Sequence, residues 1–136
     1  MINSGVGYLT QELKGLAFEL NISNNVKFLG QIPNTDVIKL MKVCDIFLMP
    51  SERVVFDMAI LEALVCNIPI LASKEGGNIE IIKDKINGMF LHVLDEFEIS
   101  SKIIELSKKN RFQETKLEIE KYDVSNMVQQ YEELYR

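Results

Sequence analysis

Four short β-prone runs, each closed by turn-forming residues and separated by stretches of helical spacing, constrain this chain more than any other feature. They are Val26-Lys27-Phe28-Leu29, Cys44-Asp45-Ile46-Phe47-Leu48-Met49, Ile70-Leu71-Ala72 and Met89-Phe90-Leu91-His92-Val93. Gly30 with Pro33 ends the first, Pro50-Ser51 the second, and Gly76-Gly77 opens a loop after the third. Proline cannot donate to a ladder and glycine frees the backbone to turn, so these residues mark loops rather than continued strands. Between the runs, Leu9, Leu13, Leu16, Ala17 and Leu20 recur at helical spacing, with Asn21 as a stop. Asn34 can cap a second helix, residues 58–65 form a third that is apolar nearly all round and should be buried, and residues 78–85 form a short fourth before an Asn87-Gly88 turn. Strands that alternate with helices at this pace need right-handed crossovers, hence a parallel sheet. The expected fold class is α/β, a Rossmann-like three-layer domain with about four to five parallel strands and helices on both faces.

Beyond Asp95 no strand is evident and the pattern turns helical, through a polar stretch at 108–121 to a last amphipathic helix with Met127, Val128, Tyr131, Leu134 and Tyr135 on one face. The 136 residues suit one core, so the whole chain, residues 1–136, is expected to be a single partial domain with a helical C-terminal segment from about 95 to 136.

A net charge of −5, with basic residues spread singly, offers no footprint for nucleic acid. No apolar run approaches the roughly 18 to 20 residues of a membrane helix. Cys44 and Cys66 sit inside apolar runs and no signal-type segment opens the chain, so a reduced, cytoplasmic setting is expected. Those two thiols and His92 lack metal-ligand spacing, and neither a metal nor a cofactor is expected.

In an open parallel sheet ligands bind at the carboxyl ends of the strands. Here that means the loops at 30–33, 50–57 and 73–78. The last two lead into helix N-termini, where unpaired N–H groups and the helix dipole favour an anion such as phosphate. Gly76 and Gly77 permit close backbone approach, although a Gly-Gly pair is also an ordinary turn. Glu62 is the only charged residue between Met58 and Cys66. Burial of an unpaired carboxylate costs several kcal/mol, so Glu62 needs donors. Either it pairs with a nearby lysine or backbone N–H or lies on a narrow solvated stripe, or it accepts hydrogen bonds from the paired hydroxyls of a ligand.

The segment Pro50-Ser51-Glu52-Arg53-Val54-Val55-Phe56-Asp57-Met58-Ala59-Ile60-Leu61-Glu62-Ala63-Leu64 resembles the signature of the retaining glycosyltransferases called group 1, Pro-Ser-x-x-Glu-x-Phe-Gly-x-x-x-x-Glu-Ala. Val26-Lys27-Phe28-Leu29-Gly30, Cys44-Asp45-Ile46, Asn67-Ile68-Pro69-Ile70-Leu71-Ala72-Ser73, Gly76-Gly77, Asn87-Gly88 and the closing Gln130-Tyr131-Glu132-Glu133-Leu134-Tyr135 fall where that family carries its flanking motifs. The resemblance implies the C-terminal half of a GT-B fold, which binds a nucleotide sugar such as a UDP- or GDP-sugar. It assigns Glu62 to the ribose hydroxyls, the backbone N–H groups of Asp57, Met58 and Ala59 to the diphosphate, the loop after Gly30 to the base, and Ser51, Phe56, Gly76 and Gly77 to the donor pocket.

Three departures qualify that assignment. Val54 stands where the family has its first Glu, the one that engages the transferred sugar, and Glu52 is a weak substitute two residues away. Asp57 stands where the family has Gly, and its carboxylate can cap the helix and repel a diphosphate. The family's Arg and Lys that neutralise the leaving diphosphate have no counterpart, and Ile2-Asn3-Ser4-Gly5 resembles the tail of its Gly-rich turn. Without those cations the chain is expected to be inert alone. The expected function is the donor-binding portion of an enzyme that transfers a hexose-type sugar to a glycan or lipid-linked acceptor. It would work with an N-terminal acceptor-binding domain or a partner subunit, with homodimerisation through an open sheet edge as a further option. The alternative is a catalytically inactive nucleotide-binding or scaffolding subunit paired with a full transferase. A sugar-nucleotide epimerase, which shares the two-domain architecture, is a third possibility.

Overall fold

A computed structural model describes residues 1–52, 55, 57–91 and 95–108 of the chain. Within them five strands alternate with five α-helices, and every strand pairing is parallel. The chain divides into two compact units, Met1–Lys39 and the residues from Leu40 onward. Each has its own sheet, of two strands and of three. The parallel α/β class is as expected; the five strands, however, are shared between two hydrogen-bonded sheets rather than joined in one.

In the first unit β1 (Ile2–Asn3) pairs with β2 (Lys27–Phe28). Ile2 and Asn3 are therefore strand rather than turn. The register is extended beyond both strands by Gly5 N–H donating to the Gly30 carbonyl at 2.7 Å, with Gly5 and Gly30 both at positive φ, which glycine adopts without strain. The helix α1 (Thr10–Glu19) starts where the Thr10 hydroxyl bonds the Gly7 backbone, and stops, as expected, at Asn21, whose φ of 55° is the left-handed conformation that ends many helices. Only Ala17 of α1 is buried, and Leu13, Leu16 and Leu20 remain exposed. The helix α2 (Asn34–Val43) starts near Asn34 as expected, with the Pro33 carbonyl accepting from Val37 N–H at 3.1 Å.

In the second unit β3 (Phe47–Met49), β4 (Ile70–Ser73) and β5 (Gly88–Leu91) lie in sequence order, with β4 central and wholly buried. A strand covered on both faces must be apolar throughout, and Ile70, Leu71 and Ala72 meet that requirement. Between β3 and β4 runs α3 (Met58–Val65), ended by Cys66 and then Asn67 at a φ of 54°, with Pro69 preventing extension. Its limits are those read from the sequence, but its burial is not. Ile60, Ala63 and Leu64 are in the core, whereas Met58 and Val65 are each 62% exposed, so one face meets solvent.

The fourth helix, α4 (Asn78–Ile81), is a single turn, four residues shorter than expected at its C-terminal end. The buried side chain of Asn87 accounts for this: Nδ2 donates to the Ile81 carbonyl at 3.0 Å while Oδ1 accepts from Lys83 N–H at 2.8 Å, diverting both groups from the helix. After β5, Asp95 caps α5 (Glu96–Ser107) by accepting from Phe97 and Glu98 N–H. That helix seals the core through Leu106, which packs with Leu71, Met89 and Leu91. Lys102 ties it to β5 through the Phe90 carbonyl and also pairs with Glu98. Among the described residues no helix is long and apolar enough to cross a membrane. The last helix expected from the sequence, its tyrosines, and His92 lie outside the described residues.

Candidate functional site

Two of the three predicted loops meet in the second unit. The loop at 50–57 leaves the carboxyl end of β3 and enters α3, and the loop at 74–77 leaves the carboxyl end of β4 and enters α4. Because β3 and β4 are parallel neighbours, both loops emerge at the same end of the sheet. They are bonded to one another: Gly77 N–H donates to the Val55 carbonyl at 2.9 Å, and the Ser73 hydroxyl donates to the Ser51 carbonyl. Gly76 takes a φ of 51°, which lets the chain reverse ahead of Gly77. Gly30, the third predicted contact, belongs to the first unit, where its carbonyl serves the bond from Gly5.

At the start of α3 the helix N-terminus is already partly occupied. Asp57 has extended backbone and its carboxylate accepts from Ala59 N–H at 3.0 Å, the side-chain cap read from the sequence. One of the N–H groups assigned to a diphosphate is therefore committed internally. Gly77 N–H is committed in the same way. Val55 and Met58 are both exposed.

Glu62 lies one turn into α3, half-buried. With Met58 four residues before it and Val65 three after, it falls on the helix face that meets solvent. The greasy-helix argument is thereby corrected: the carboxylate is not sealed in the core, so its desolvation does not by itself demand a ligand. Its face does open it to one. Glu52 is exposed in a bend of the loop, and Ser51 is half-buried with its carbonyl bonded to Ser73. Val54 and Phe56 lie outside the described residues.

Sequence reasoning did not single out Ser73 and Asn78 as site residues. Both are completely buried, and Asn78 Nδ2 donates to the Ser73 carbonyl at 3.1 Å while its Oδ1 has no hydrogen-bond partner. An unmet buried acceptor costs about 1 to 3 kcal/mol. The available signal was a serine that closes an otherwise apolar strand, with an asparagine just past the glycine pair.

Parallel strands with loop-to-helix turns gathered at one end define a Rossmann-like α/β domain, a class whose ligands bind outside the carboxyl ends of the strands. Residues 4–123 match the family described as glycosyl transferases group 1, and the chain belongs to that family. It is 26% identical, over its whole length, to an uncharacterized glycosyltransferase of Methanocaldococcus jannaschii, of which it covers 36%. It is 29% identical, over 88% of its length, to N-acetyl-alpha-D-glucosaminyl L-malate synthase of Bacillus anthracis, of which it covers 32%. Among solved structures, Anabaena HepE in complex with UDP superposes with a TM-score of 0.81 at 26% identity, across 98% of this chain and 40% of that one. The chain thus spans about a third of the length of these curated relatives and corresponds to the C-terminal domain of a GT-B glycosyltransferase.

Proposed function

We propose that this chain is the nucleotide-sugar-binding portion of a glycosyltransferase, with the donor seated at the carboxyl ends of β3 and β4. The observation that carries the reading is the pair of mutually bonded loops that lead into α3 and α4, with the Glu62 carboxylate one turn along α3 on its solvent-facing side. Glu62 would accept hydrogen bonds from the ribose hydroxyls, and the first-turn N–H groups of α3 would face the diphosphate. Support comes from HepE, a similar structure whose complexes hold UDP and UDP-glucose. The sugar is of hexose type and the acceptor a glycan or a lipid-linked saccharide. No metal is required in this reading, so added chelator should leave nucleotide binding unchanged. In this reading transfer also draws on an N-terminal acceptor-binding domain or a partner subunit.

A second reading is favoured by one specific observation. The Asp57 cap places a negative charge where a diphosphate would bind, as a catalytically inactive subunit paired with a full transferase could tolerate. Titration of the chain with UDP, GDP and their sugar conjugates, with the melting temperature followed, tests the first reading. A ligand that prefers the native state must raise apparent stability. A rise that disappears in Glu62→Ala supports the donor site, and no rise with any nucleotide overturns it in favour of the scaffold.

A further inference from the structure

The donor-site reading leaves one polar cluster without a task. Ser73 and Asn78 are each 0% exposed, and apart from Asn87 they are the buried polar residues of the described chain. The Ser73 hydroxyl reaches across to the Ser51 carbonyl in the β3–α3 loop. The Ser73 carbonyl accepts from Asn78 Nδ2 at 3.1 Å and also from Glu75 N–H at 3.0 Å. A carbonyl can only accept, so the amide of Asn78 must present its nitrogen there, which leaves Oδ1 turned away and without a partner. Stability alone does not account for this asparagine. A leucine of similar shape would remove the orphaned acceptor, and the Ser73 carbonyl would keep Glu75.

What the cluster does is hold two loops in one register. Two bonds, from the Ser73 hydroxyl to the Ser51 carbonyl and from Gly77 N–H to the Val55 carbonyl, tie the β4–α4 loop to the β3–α3 loop, and Asn78 braces the β4–α4 loop at the Ser73 carbonyl. We propose that Ser73 and Asn78 are positioning residues for nucleotide binding. They fix the height of the β3–α3 loop against the β4–α4 loop, and with it the aim of the backbone N–H groups at the start of α3 toward an anionic diphosphate. The inference rests on the donor-site reading and adds the residues that set its geometry.

The test compares Asn78→Leu, Ser73→Ala and Ser73→Thr in the whole chain, with Leu106→Val as a control for lost core packing outside the two loops. Three quantities are measured: melting temperature without ligand, UDP affinity by calorimetry, and hydrogen exchange at the Gly77 amide. Asn78→Leu should keep or raise the melting temperature yet weaken UDP binding by roughly tenfold, because binding depends on held geometry more steeply than stability does. Ser73→Ala should also weaken binding, Ser73→Thr should restore it by returning the hydroxyl, and Gly77 should exchange faster in Ser73→Ala and Asn78→Leu. Leu106→Val should lower the melting temperature and leave UDP affinity unchanged. If UDP affinity in Asn78→Leu matches that of the unmutated chain, or falls only as far as its melting temperature does, the positioning role is overturned while the donor reading stands. If the unmutated chain binds no UDP, the donor reading fails and the positioning role fails with it.

Discussion

The carboxylate of Asp57 sits 3.0 Å from the backbone nitrogen of Ala59 and closes the first turn of α3 with the protein's own negative charge. In the donor-site reading this intramolecular anion competes for the N–H groups a diphosphate would use. Asp57→Gly should therefore raise UDP affinity by roughly three- to tenfold, since a like charge is removed and an N–H released. The helix should lose only a few tenths of a kcal/mol relative to the aspartate cap. Isothermal titration with UDP checks it, and unchanged or weaker binding would show that the nucleotide does not approach this end of the helix.

Gly88 is held by crowding, not by backbone freedom. A Cβ at this position would lie 2.6 Å from the Ile70 carbonyl and 3.1 Å from the Ile70 side chain, inside the β4–β5 pairing. Gly88→Ala is expected to destabilise the fold by about 1 to 3 kcal/mol, since a backbone carbonyl in a central strand cannot move aside as a side chain can. Urea denaturation measures the loss, and a midpoint equal to that of the unmutated chain would refute the close approach.

Asn87→Ala should cost about 2 kcal/mol or more. The substitution strips the Ile81 carbonyl and the Lys83 N–H of their bonds in a loop whose asparagine is buried. Asn87→Asp should be nearly as damaging, because it keeps the acceptor for Lys83 but loses the donor to Ile81. Thermal melts of the two variants decide this; a harmless aspartate would place the main contribution on Oδ1 alone.

Leu106→Ala removes the side chain through which α5 covers Leu71, Met89 and Leu91. A loss of about 2 to 5 kcal/mol is expected. Because none of the residues in the Leu106 cluster belongs to the β3–α3 loop, UDP affinity per folded molecule should not change. Calorimetry below the melting temperature tests the separation, and a fall in affinity at full folding would connect α5 to the candidate site.

Much of the local structure could be read in advance. The exact span of α3, the helix stop at Asn21 and the Asp57 cap all follow from a few neighbouring residues whose chemistry acts on adjacent backbone. Contacts between distant residues could not be read. Ser73 meets Ser51 from 22 positions away, and Val55 meets Gly77 from as far. No periodicity encodes such meetings. The solvent-facing side of α3 was missed for the same reason, since a run of apolar residues states that a helix can be buried but not on how many sides it is covered.

From the amino-acid sequence by itself came the α/β class, the parallel pairing of its strands, the loops that carry the candidate site and Glu62 as its acidic residue. These rest on interactions within a turn or a strand, where composition and spacing suffice. The division of the strands into two sheets, the exposure of Met58 and Val65 with half-buried Glu62 between them along one side of α3, and the bonds that lock the two loops together were decided only in three dimensions. The physical reason is that burial and register depend on which segments become neighbours, and that choice is made by packing across the whole fold.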